Sequence, residues 1–220
     1  MAHRIILFDL ETSGLPDRSG LGWNQQPAIT DITKYDTARV VQIGLKSVLY
    51  WIDKKTHKHV FMSENKFNII IKPIDFKITN AHIHNITQEI AEAKGILFKN
   101  AIARISPLFD DASLIISHNI SFDANVLMSE MYRQKLYKSL NKFKEIPQFC
   151  TARMMTSVMQ LSMSYCNNLY YKTPSLTEMY EWLFKRKISC DVQLHNALTD
   201  VEILFDCFRK MVTQQIIELN

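Results

Sequence analysis

The stretch that decides the fold is Arg4-Ile5-Ile6-Leu7-Phe8-Asp9-Leu10-Glu11, near the start of a chain of 220 residues. Residues 4–10 form a short apolar run that predicts a buried strand. Asp9 and Glu11 are two positions apart, so in a strand both side chains point to one face. Two carboxylates on one face of a buried strand repel each other, and both stay ionised only beside a cation. The alternative is that the strand ends earlier and both are solvated loop charges.

Downstream of this stretch, the pattern predicts strands first and alternating helices and strands later. Residues 16–37 are polar and predict a long loop, while residues 39–52 and 60–71 predict an antiparallel hairpin. Apolar spacing then predicts helices at 96–109, 122–136, 151–161, 175–184 and 197–217, a buried strand at 114–116 and an irregular aromatic connection at 163–173. This order indicates an α/β fold with a mixed sheet and helices on both faces. We expect one domain over 1–220 with a loop insertion at about 16–37.

The amino-acid composition is typical of a protein with a packed core, and it does not identify a binding partner. Hydrophobic residues make up 47% of the sequence, which supports a core. The net charge of +4, from 26 basic and 22 acidic residues, permits a polyanionic partner without requiring one. No apolar run approaches the ~20 residues of a membrane span, and no targeting segment is visible. We therefore expect no membrane contact.

Cysteine usage indicates the compartment. The four cysteines form no C-x-x-C pair and follow no secretory signal, so we interpret them as reduced thiols; they are Cys150, Cys166, Cys190 and Cys207. We expect an intracellular protein, in the cytoplasm or in the nucleoid or nucleus.

Three further residues are candidates for chemistry. Asp123 follows the strand at 114–116 and falls in the first turn of a predicted helix, where an acidic side chain also serves stability alone. His195 and Asp200 are five apart, which on one helix separates them by ~140°. If the helix begins near Ala197, His195 lies on the preceding loop and can fold back toward Asp200. Taken singly, a structural histidine and a capping aspartate are the simpler interpretation.

Together these residues fit one mechanism. Four carboxylates from three distant segments would carry a charge of about −4, which two divalent cations neutralise. Two ions ~3.5–4 Å apart can hold an attacking water and a leaving oxygen across one phosphorus. Oxygen ligands without cysteine select Mg²⁺ or Mn²⁺. A nearby histidine can take the proton of the water, since its pKa lies near working pH.

Three motifs carry a family resemblance: Phe8-Asp9-Leu10-Glu11-Thr12-Ser13-Gly14-Leu15, His118-Asn119-Ile120-Ser121-Phe122-Asp123 and His195-Asn196-Ala197-Leu198-Thr199-Asp200. Weaker matches lie at 39–44, 81–87 and 174–176. In this order and spacing they resemble the DEDDh 3′→5′ exonucleases, the group that contains the proofreading subunit of bacterial DNA polymerase III, RNase T and oligoribonuclease. The resemblance covers nearly the whole chain, from about Ile5 to Phe208.

The resemblance implies a ribonuclease H-like fold, with a mixed five-stranded sheet whose three N-terminal strands are antiparallel. It implies that two divalent cations are held by Asp9, Glu11, Asp123 and Asp200, with Asp9 shared by both ions. It also implies that His195 is the general base.

The same resemblance suggests which residues bind substrate: Thr12, Leu15, Gln42, His118, Asn119 and Phe122. Thr12 and Leu15 would line the pocket for the terminal nucleotide, and Phe122 would pack near the bases. Gln42 stands where many relatives have Glu; its neutral amide can bind a sugar hydroxyl but carries no charge. Cys150-Thr151 stands where Asp-Thr is common.

The expected function is hydrolysis of phosphodiester bonds at 3′ ends of nucleic acid, with DNA favoured, releasing nucleoside 5′-monophosphates. The substrate would be a strand with a single-stranded 3′ end. An RNA-specific 3′ exonuclease or oligoribonuclease is an alternative, because motifs do not reveal recognition of the 2′-hydroxyl. Another is a non-catalytic module that binds nucleic acid or a polymerase. No polymerase domain fits in 220 residues, so a proofreading role would require a separate polymerase, replication or repair partner.

Two secondary features have open interpretations. Lys135, Lys138, Lys142 and Lys144 form a basic cluster that either binds phosphates or is a solvated helix end. Trp23 and Tyr35 either stack on substrate or anchor the loop at 16–37.

Overall fold

A mixed five-stranded sheet forms the centre of the protein, which the computed structural model describes over residues 2–22, 25–165 and 168–219. Its strands are β1 (His3–Thr12), β2 (Val40–Ile52), β3 (His59–Ile70), β4 (Ala112–Ser117) and β5 (Gln148–Cys150). They lie in the order β3-β2-β1-β4-β5. The pairs β1–β2 and β2–β3 are antiparallel, while β1–β4 and β4–β5 are parallel. The predicted fold class, with three antiparallel strands first, is confirmed.

Helices flank both faces of this sheet. They are α1 (Ala81–His84), α2 (Gln88–Lys94), α3 (Phe98–Ile105), α4 (Ile120–Arg133), α5 (Tyr137–Glu145), α6 (Thr151–Met159), α7 (Leu176–Phe184) and α8 (Ala197–Thr213). None of the helices in the described ranges is long and apolar enough to cross a membrane.

Strand β1 separates two hydrophobic cores. Ile6, Phe8 and Leu10 enter a core with residues of α3, α4 and α5. Ile5 and Leu7 enter a second core with residues of α7 and α8. Alternate side chains of a strand point to opposite faces. Asp9 and Glu11 therefore continue the face on which α8 packs.

The structure corrects several predicted segments. Residues 163–173 were expected to be irregular, but they contain most of an antiparallel hairpin formed by β6 (Ser162–Tyr165) and β7 (Asn168–Tyr171). The aromatic and polar residues that suggested a connection instead form two paired strands. The last helix ends at Thr213 rather than at residue 217, and the helix predicted at 96–109 is α3 followed by a 3-10 turn at Ser106–Asp110. Pro107 in that turn has no N–H for a regular helix.

The loop at 16–37 is tied to the core rather than free. It contains a short 3-10 helix, Ile32–Tyr35. The Tyr35 ring is 1% exposed and its hydroxyl donates to the Pro27 carbonyl at 2.7 Å. Tyr35 thus anchors the loop and is not available to stack on substrate. Trp23 lies outside the described residues.

The cysteines in the described ranges are free thiols: Cys150, Cys190 and Cys207. Cys166 lies outside those ranges.

Candidate active site

Asp9 and Glu11 both lie within β1, where they pair with Gly44 and Gln42 of β2. The alternative in which the strand ends before them is therefore wrong. Glu11 is 8% exposed and Asp9 is half-buried. Their side chains share the face on which α8 begins, so the strand carries two acidic groups under the end of a helix.

Two residues of β2 fix the position of the N-terminal end of α8 on the face of the sheet that carries Asp9 and Glu11. A Cβ atom on Gly44 would lie 2.2 Å from the carbonyl of Ala197, so only glycine allows this approach. The Gln42 side-chain oxygen accepts a hydrogen bond from the Ala197 amide at 3.0 Å. The Asn196 side chain caps the helix by accepting from the Thr199 amide. Because α8 begins here, Asp200 in its first turn lies over the acidic end of β1.

Asp123 reaches the same place from the opposite face of the sheet. It lies in the first turn of α4 and is 3% exposed. The Leu10 amide donates to Asp123 Oδ1 at 3.3 Å, and the Ser117 hydroxyl donates to Oδ2 at 2.8 Å. Leu10 lies beyond the last β1 residue that pairs with β4, so its N–H is available for this bond. The bond holds α4 against the strand that carries Asp9 and Glu11.

His195 lies on the loop just before α8, as the sequence predicted. Its backbone is left-handed, with a φ of 58°, and its ring is exposed. Donor atoms of Glu11, His195 and Asp200 all lie within 4.8 Å of one another. The histidine therefore folds back toward Asp200 and stands at the solvent side of the carboxylates.

The four carboxyl groups disturb one another's ionisation. Burial and the charges of Asp123, Asp200 and Glu11 raise the pKa of Asp9 well above its usual value. Burial, Asp200 and Asp123 raise the pKa of Glu11 to about 8. These mutual effects indicate that the four carboxyl groups lie close together in one cleft.

Local contacts limit the rise in pKa of the other two carboxyl groups, Asp123 and Asp200. Burial raises the pKa of Asp123 to about 7, although hydrogen bonds from Ser117 and Leu10 oppose the rise. Burial raises the pKa of Asp200 to about 6, against the opposing effect of His195. Such perturbed carboxyl groups in a cleft are typical of a functional site.

The chemistry of these donors fits a divalent cation. Asp200 Oδ1 is buried and has no hydrogen-bond partner in the part of the chain that the structure describes. A buried carboxylate oxygen without a partner is costly unless a cation or a proton balances it. Oxygen donors with one imidazole and no thiolate favour hard cations such as Mg²⁺ and Mn²⁺.

The residues predicted to bind substrate lie around this cleft but differ in exposure. Leu15 is 72% exposed beyond the end of β1, whereas Thr12 is 7% exposed and its hydroxyl donates to the Gly14 carbonyl. Phe122 is half-buried and packs against the first core. Gln42 is 2% exposed, and its amide also donates to the Asn68 side chain at 2.6 Å. Gln42 therefore orients α8, and a sugar contact by this residue stays a prediction.

His118 and Asn119 lie where β4 passes into α4. One His118 ring nitrogen contacts the Thr151 hydroxyl at 3.0 Å, and the other contacts the Pro174 carbonyl at 2.9 Å. Burial lowers the pKa of His118, which favours the neutral ring. His118 thus links β4 to the start of α6 and to the segment before α7. Asn119 is exposed, and its left-handed backbone, with a φ of 73°, turns the chain into α4.

Sequence reasoning missed the residues that support the turn after Glu11. Asn80 donates from its side chain to the Thr12 carbonyl at 2.7 Å and contacts the ring of buried His84 at 3.2 Å. His84 Nδ1 also accepts from the Ile86 amide at 3.1 Å. The sequence around Asn80 and His84 suggested short helices but no support for β1, and that role is seen only in the folded chain.

Comparison with known families gives one match over most of the chain. The family described as Exonuclease, of the RNase T type, matches residues 6–208. That span begins in β1, ends in α8 and contains Asp9, Glu11, Asp123, His195 and Asp200. No curated protein matches this sequence.

Solved structures with a similar fold include several exonuclease I enzymes. A zinc-bound E. coli exonuclease I in complex with single-stranded DNA has a TM-score of 0.64 at 17% identity, covering 98% of this chain and 41% of that one. E. coli exonuclease I with a dT13 oligonucleotide gives 0.64 at 18%, covering 97% and 42%. Exonuclease I from Methylocaldum szegediense gives 0.61 at 18%, covering 97% and 40%. The chain thus spans about two fifths of the length of these relatives, and the likeness shows the fold.

Proposed function

Because the chain belongs to the DEDDh-type exonuclease family, we propose that it removes nucleotides one at a time from the 3′ end of a single nucleic-acid strand, with DNA as the favoured substrate. The observation that carries this proposal is the meeting of four carboxylates and His195 at the end of β1. The single-stranded DNA in the exonuclease I complexes of similar fold supports testing that substrate first.

Within the proposal, each acidic side chain has a place in binding the reacting phosphate. Asp9, Glu11, Asp123 and Asp200 would hold two divalent cations, Mg²⁺ or Mn²⁺, which supply neutralising charge and polarise water when bound. The hydrogen bonds from Leu10 and Ser117 keep Asp123 oriented toward the cleft. The Gln42 and Gly44 contacts with Ala197 do the same for Asp200.

His195 is the proposed general base. Its exposed ring beside Glu11 and Asp200 can take a proton from the water that attacks the last phosphorus of the strand. The bond between that phosphorus and the 3′-oxygen of the preceding nucleotide then breaks. The products are a nucleoside 5′-monophosphate and a strand that is one nucleotide shorter and ends in a 3′-hydroxyl.

The setting of this activity is also part of the proposal. Free thiols at Cys150, Cys190 and Cys207 support an intracellular location. We further propose that residues 1–220 act as one exonuclease domain, and that any role in proofreading or repair depends on a separate polymerase or other partner.

The test is a panel of DNA and RNA strands, labelled at either end, with Mg²⁺, Mn²⁺ or EDTA. We expect 5′-labelled DNA to shorten stepwise and 3′-labelled DNA to release its label at once as a mononucleotide, both only with metal. Asp200→Asn should lower the rate of nucleotide release by about 100-fold or more. Asp206→Asn, an exposed change on the same helix, should leave that rate unchanged.

Other results would replace parts of the proposal. Degradation from the 5′ end or at internal sites would contradict the polarity. Shortening of RNA but not of DNA would favour the RNA-specific alternative. Binding of strands without hydrolysis under any metal condition would favour the non-catalytic module.

A further inference from the structure

A groove outside the carboxylate cleft runs between α6 and the β6–β7 hairpin, and we call it the hairpin groove. Its cavity of about 940 Å³ is lined by residues that include Asn119, Arg153, Met163, Tyr170 and Lys172. Ligand pockets in proteins span about 300–1,000 Å³. The hairpin groove therefore has room for a molecule larger than the terminal nucleotide that the cleft itself would hold.

One wall of the hairpin groove is apolar and aromatic. Met163 and Tyr170 are partners across β6 and β7, and they are 42% and 41% exposed. Both line the groove, so an exposed ring and a flexible thioether stand side by side on one face of the ribbon. Tyr171 also lines the groove, whereas Leu169, the other neighbour of Tyr170 in the strand, does not. Exposed rings of this kind stack on nucleic-acid bases of any identity.

The hairpin groove also carries positive charge. Arg153, from the first turn of α6, is exposed and has no side-chain hydrogen-bond or ion-pair partner among the residues that the structure describes. Lys172 forms an ion pair with Glu178 and keeps part of its side chain exposed. Cations beside an aromatic wall match the phosphates and bases of a single strand, whereas an apolar protein partner would leave Arg153 buried and unpaired.

The hairpin groove reaches the start of α4, the helix that carries Asp123. Asn119 and Ser121 line it, and Asp123 follows two positions later at the start of α4. A second cavity of about 470 Å³ shares Asn119, Ser121 and Lys172 and continues along the segment before α7. The two cavities therefore meet at the residues that begin α4, the helix that carries Asp123.

We propose that the hairpin groove binds the part of a single strand on the 5′ side of the bond to be cut, with a base on Tyr170 and a phosphate at Arg153. This inference rests on the proposed 3′ exonuclease activity, because that activity sets which part of the strand lies outside the cleft. The affinity of the protein for a single strand should therefore increase with the length of the strand.

The first test compares a substrate confined to the cleft with one that reaches the groove. Thymidine 5′-(p-nitrophenyl phosphate) offers a single nucleotide, while an oligothymidylate of about ten nucleotides extends beyond it. Tyr170→Ala should raise KM for the long strand about tenfold and leave hydrolysis of the small ester unchanged, since one stacked base is lost. Tyr170→Phe should restore the wild-type KM. Leu169→Ala is the matched control for the hairpin itself.

The second test does not depend on hydrolysis. Binding of a fluorescent oligothymidylate of about ten nucleotides, with EDTA, is followed by anisotropy at several salt concentrations. Arg153→Ala should lower the slope of log affinity against log salt by about 0.7, the value for one phosphate of a single strand. Lys138→Ala, in the separate basic cluster on α5, should leave the slope unchanged.

The outcomes separate the two proposals. The hairpin groove is not the strand site if Tyr170→Ala changes KM for the small ester and for the long strand by the same factor. The same conclusion follows if the salt slope is altered in Lys138→Ala but not in Arg153→Ala. Absence of hydrolysis of both substrates by the wild-type protein would count against the exonuclease proposal alone, because the anisotropy measurement still tests the groove.

Discussion

Gly44 of β2 and Ala197 of α8 are in backbone contact, so closely that a Cβ atom on Gly44 would lie 2.2 Å from the Ala197 carbonyl. Gly44 is also the residue directly opposite Asp9 in the sheet. The separation between β2 and α8 therefore sets how far Asp200, in the first turn of that helix, lies from Asp9.

We expect Gly44→Ala to displace α8 and disable the site. An added methyl group in a packed contact costs about 1–3 kcal/mol of unfolding free energy. A shift of catalytic groups by about 1 Å can cost about 100-fold in rate. Urea denaturation and the initial rate on 3′-labelled DNA, at a temperature where the variant is folded, measure both effects.

Gly22→Ala is the matched control for this substitution. Among the described residues, a Cβ atom at Gly22 would meet only the flexible side chain of Gln25, at 3.4 Å. Its stability and rate should remain close to those of the wild type. A wild-type rate in Gly44→Ala would show that this contact does not position Asp200.

The stability of the metal-free protein should depend on pH through Glu11. The pKa of this carboxyl is raised from its usual 4.5 to about 8, so the folded protein holds the proton more tightly than the unfolded chain. The contribution of Glu11 to the unfolding free energy is then greatest below pH 4.5 and falls as the pH rises toward 8. In EDTA, Glu11→Gln should be more stable than the wild type at pH 8, by about 2 kcal/mol, and thermal denaturation across the pH range measures this.

Glu92→Gln, an exposed change on α2, is the control for the loss of a carboxyl group. It should follow the wild-type pH profile. Excess Mg²⁺ should raise the wild-type Tm at pH 8 more than that of Glu11→Gln. Parallel pH profiles for the wild type and Glu11→Gln would contradict repulsion within the cleft.

The sequence predicted the sheet and the five reactive residues because local signals, each modest alone, occur together in the order of a family resemblance. An apolar run ending in Asp9 and Glu11 predicts a strand with two acidic groups on one face, and β1 has that form. His195 before a capped helix predicts a ring that folds back, which the 4.8 Å cluster bears out. These features depend on neighbours in sequence, where periodicity and capping operate.

Contacts between segments that are far apart in the sequence could not be predicted from periodicity and capping. The Leu10 amide that binds Asp123 joins residues 113 positions apart, and the Gln42 side chain that binds the Ala197 amide joins residues 155 apart. The β6–β7 hairpin was missed because its aromatic residues lack the spacing of either a buried strand or a helix. Asn80 was missed, and His84 was given no role within the match at 81–87, because a side chain that supports a turn leaves no pattern in its own segment.

His195→Ala should affect the chemical step more than substrate binding. Removing a general base costs about 100- to 10,000-fold in rate, while KM changes little because the strand is bound by other groups. Steady-state kinetics on an oligothymidylate separate kcat from KM. His3→Ala, an exposed histidine at the start of β1, should behave as the wild type. A kcat unchanged at neutral pH in His195→Ala would remove this residue from the mechanism.

A buried ion pair should decide how firmly the turn after Glu11 is held. Arg39 Nε and Nη2 donate to the two carboxylate oxygens of Glu130 at 2.7 and 3.1 Å, and both side chains are 6% exposed. The Arg39 carbonyl accepts from the Ser13 amide, and the Arg39 amide donates to the Ser13 hydroxyl, each at 2.9 Å. The ion pair thus joins α4 to the chain that leaves the active-site strand.

Glu130→Gln should lower the unfolding free energy by about 3 kcal/mol, because it leaves the buried Arg39 guanidinium paired only with the exposed carboxylate of Asp75 among the described residues. Asp110→Asn removes the partner of Lys142 in an exposed ion pair and should cost less than about 1 kcal/mol. Since Arg39 also binds Ser13, exonuclease activity in Glu130→Gln should be lost at a lower temperature, in parallel with unfolding, while the rate well below that temperature stays near wild type. Equal destabilisation by both substitutions would show that burial of the Arg39–Glu130 pair adds nothing.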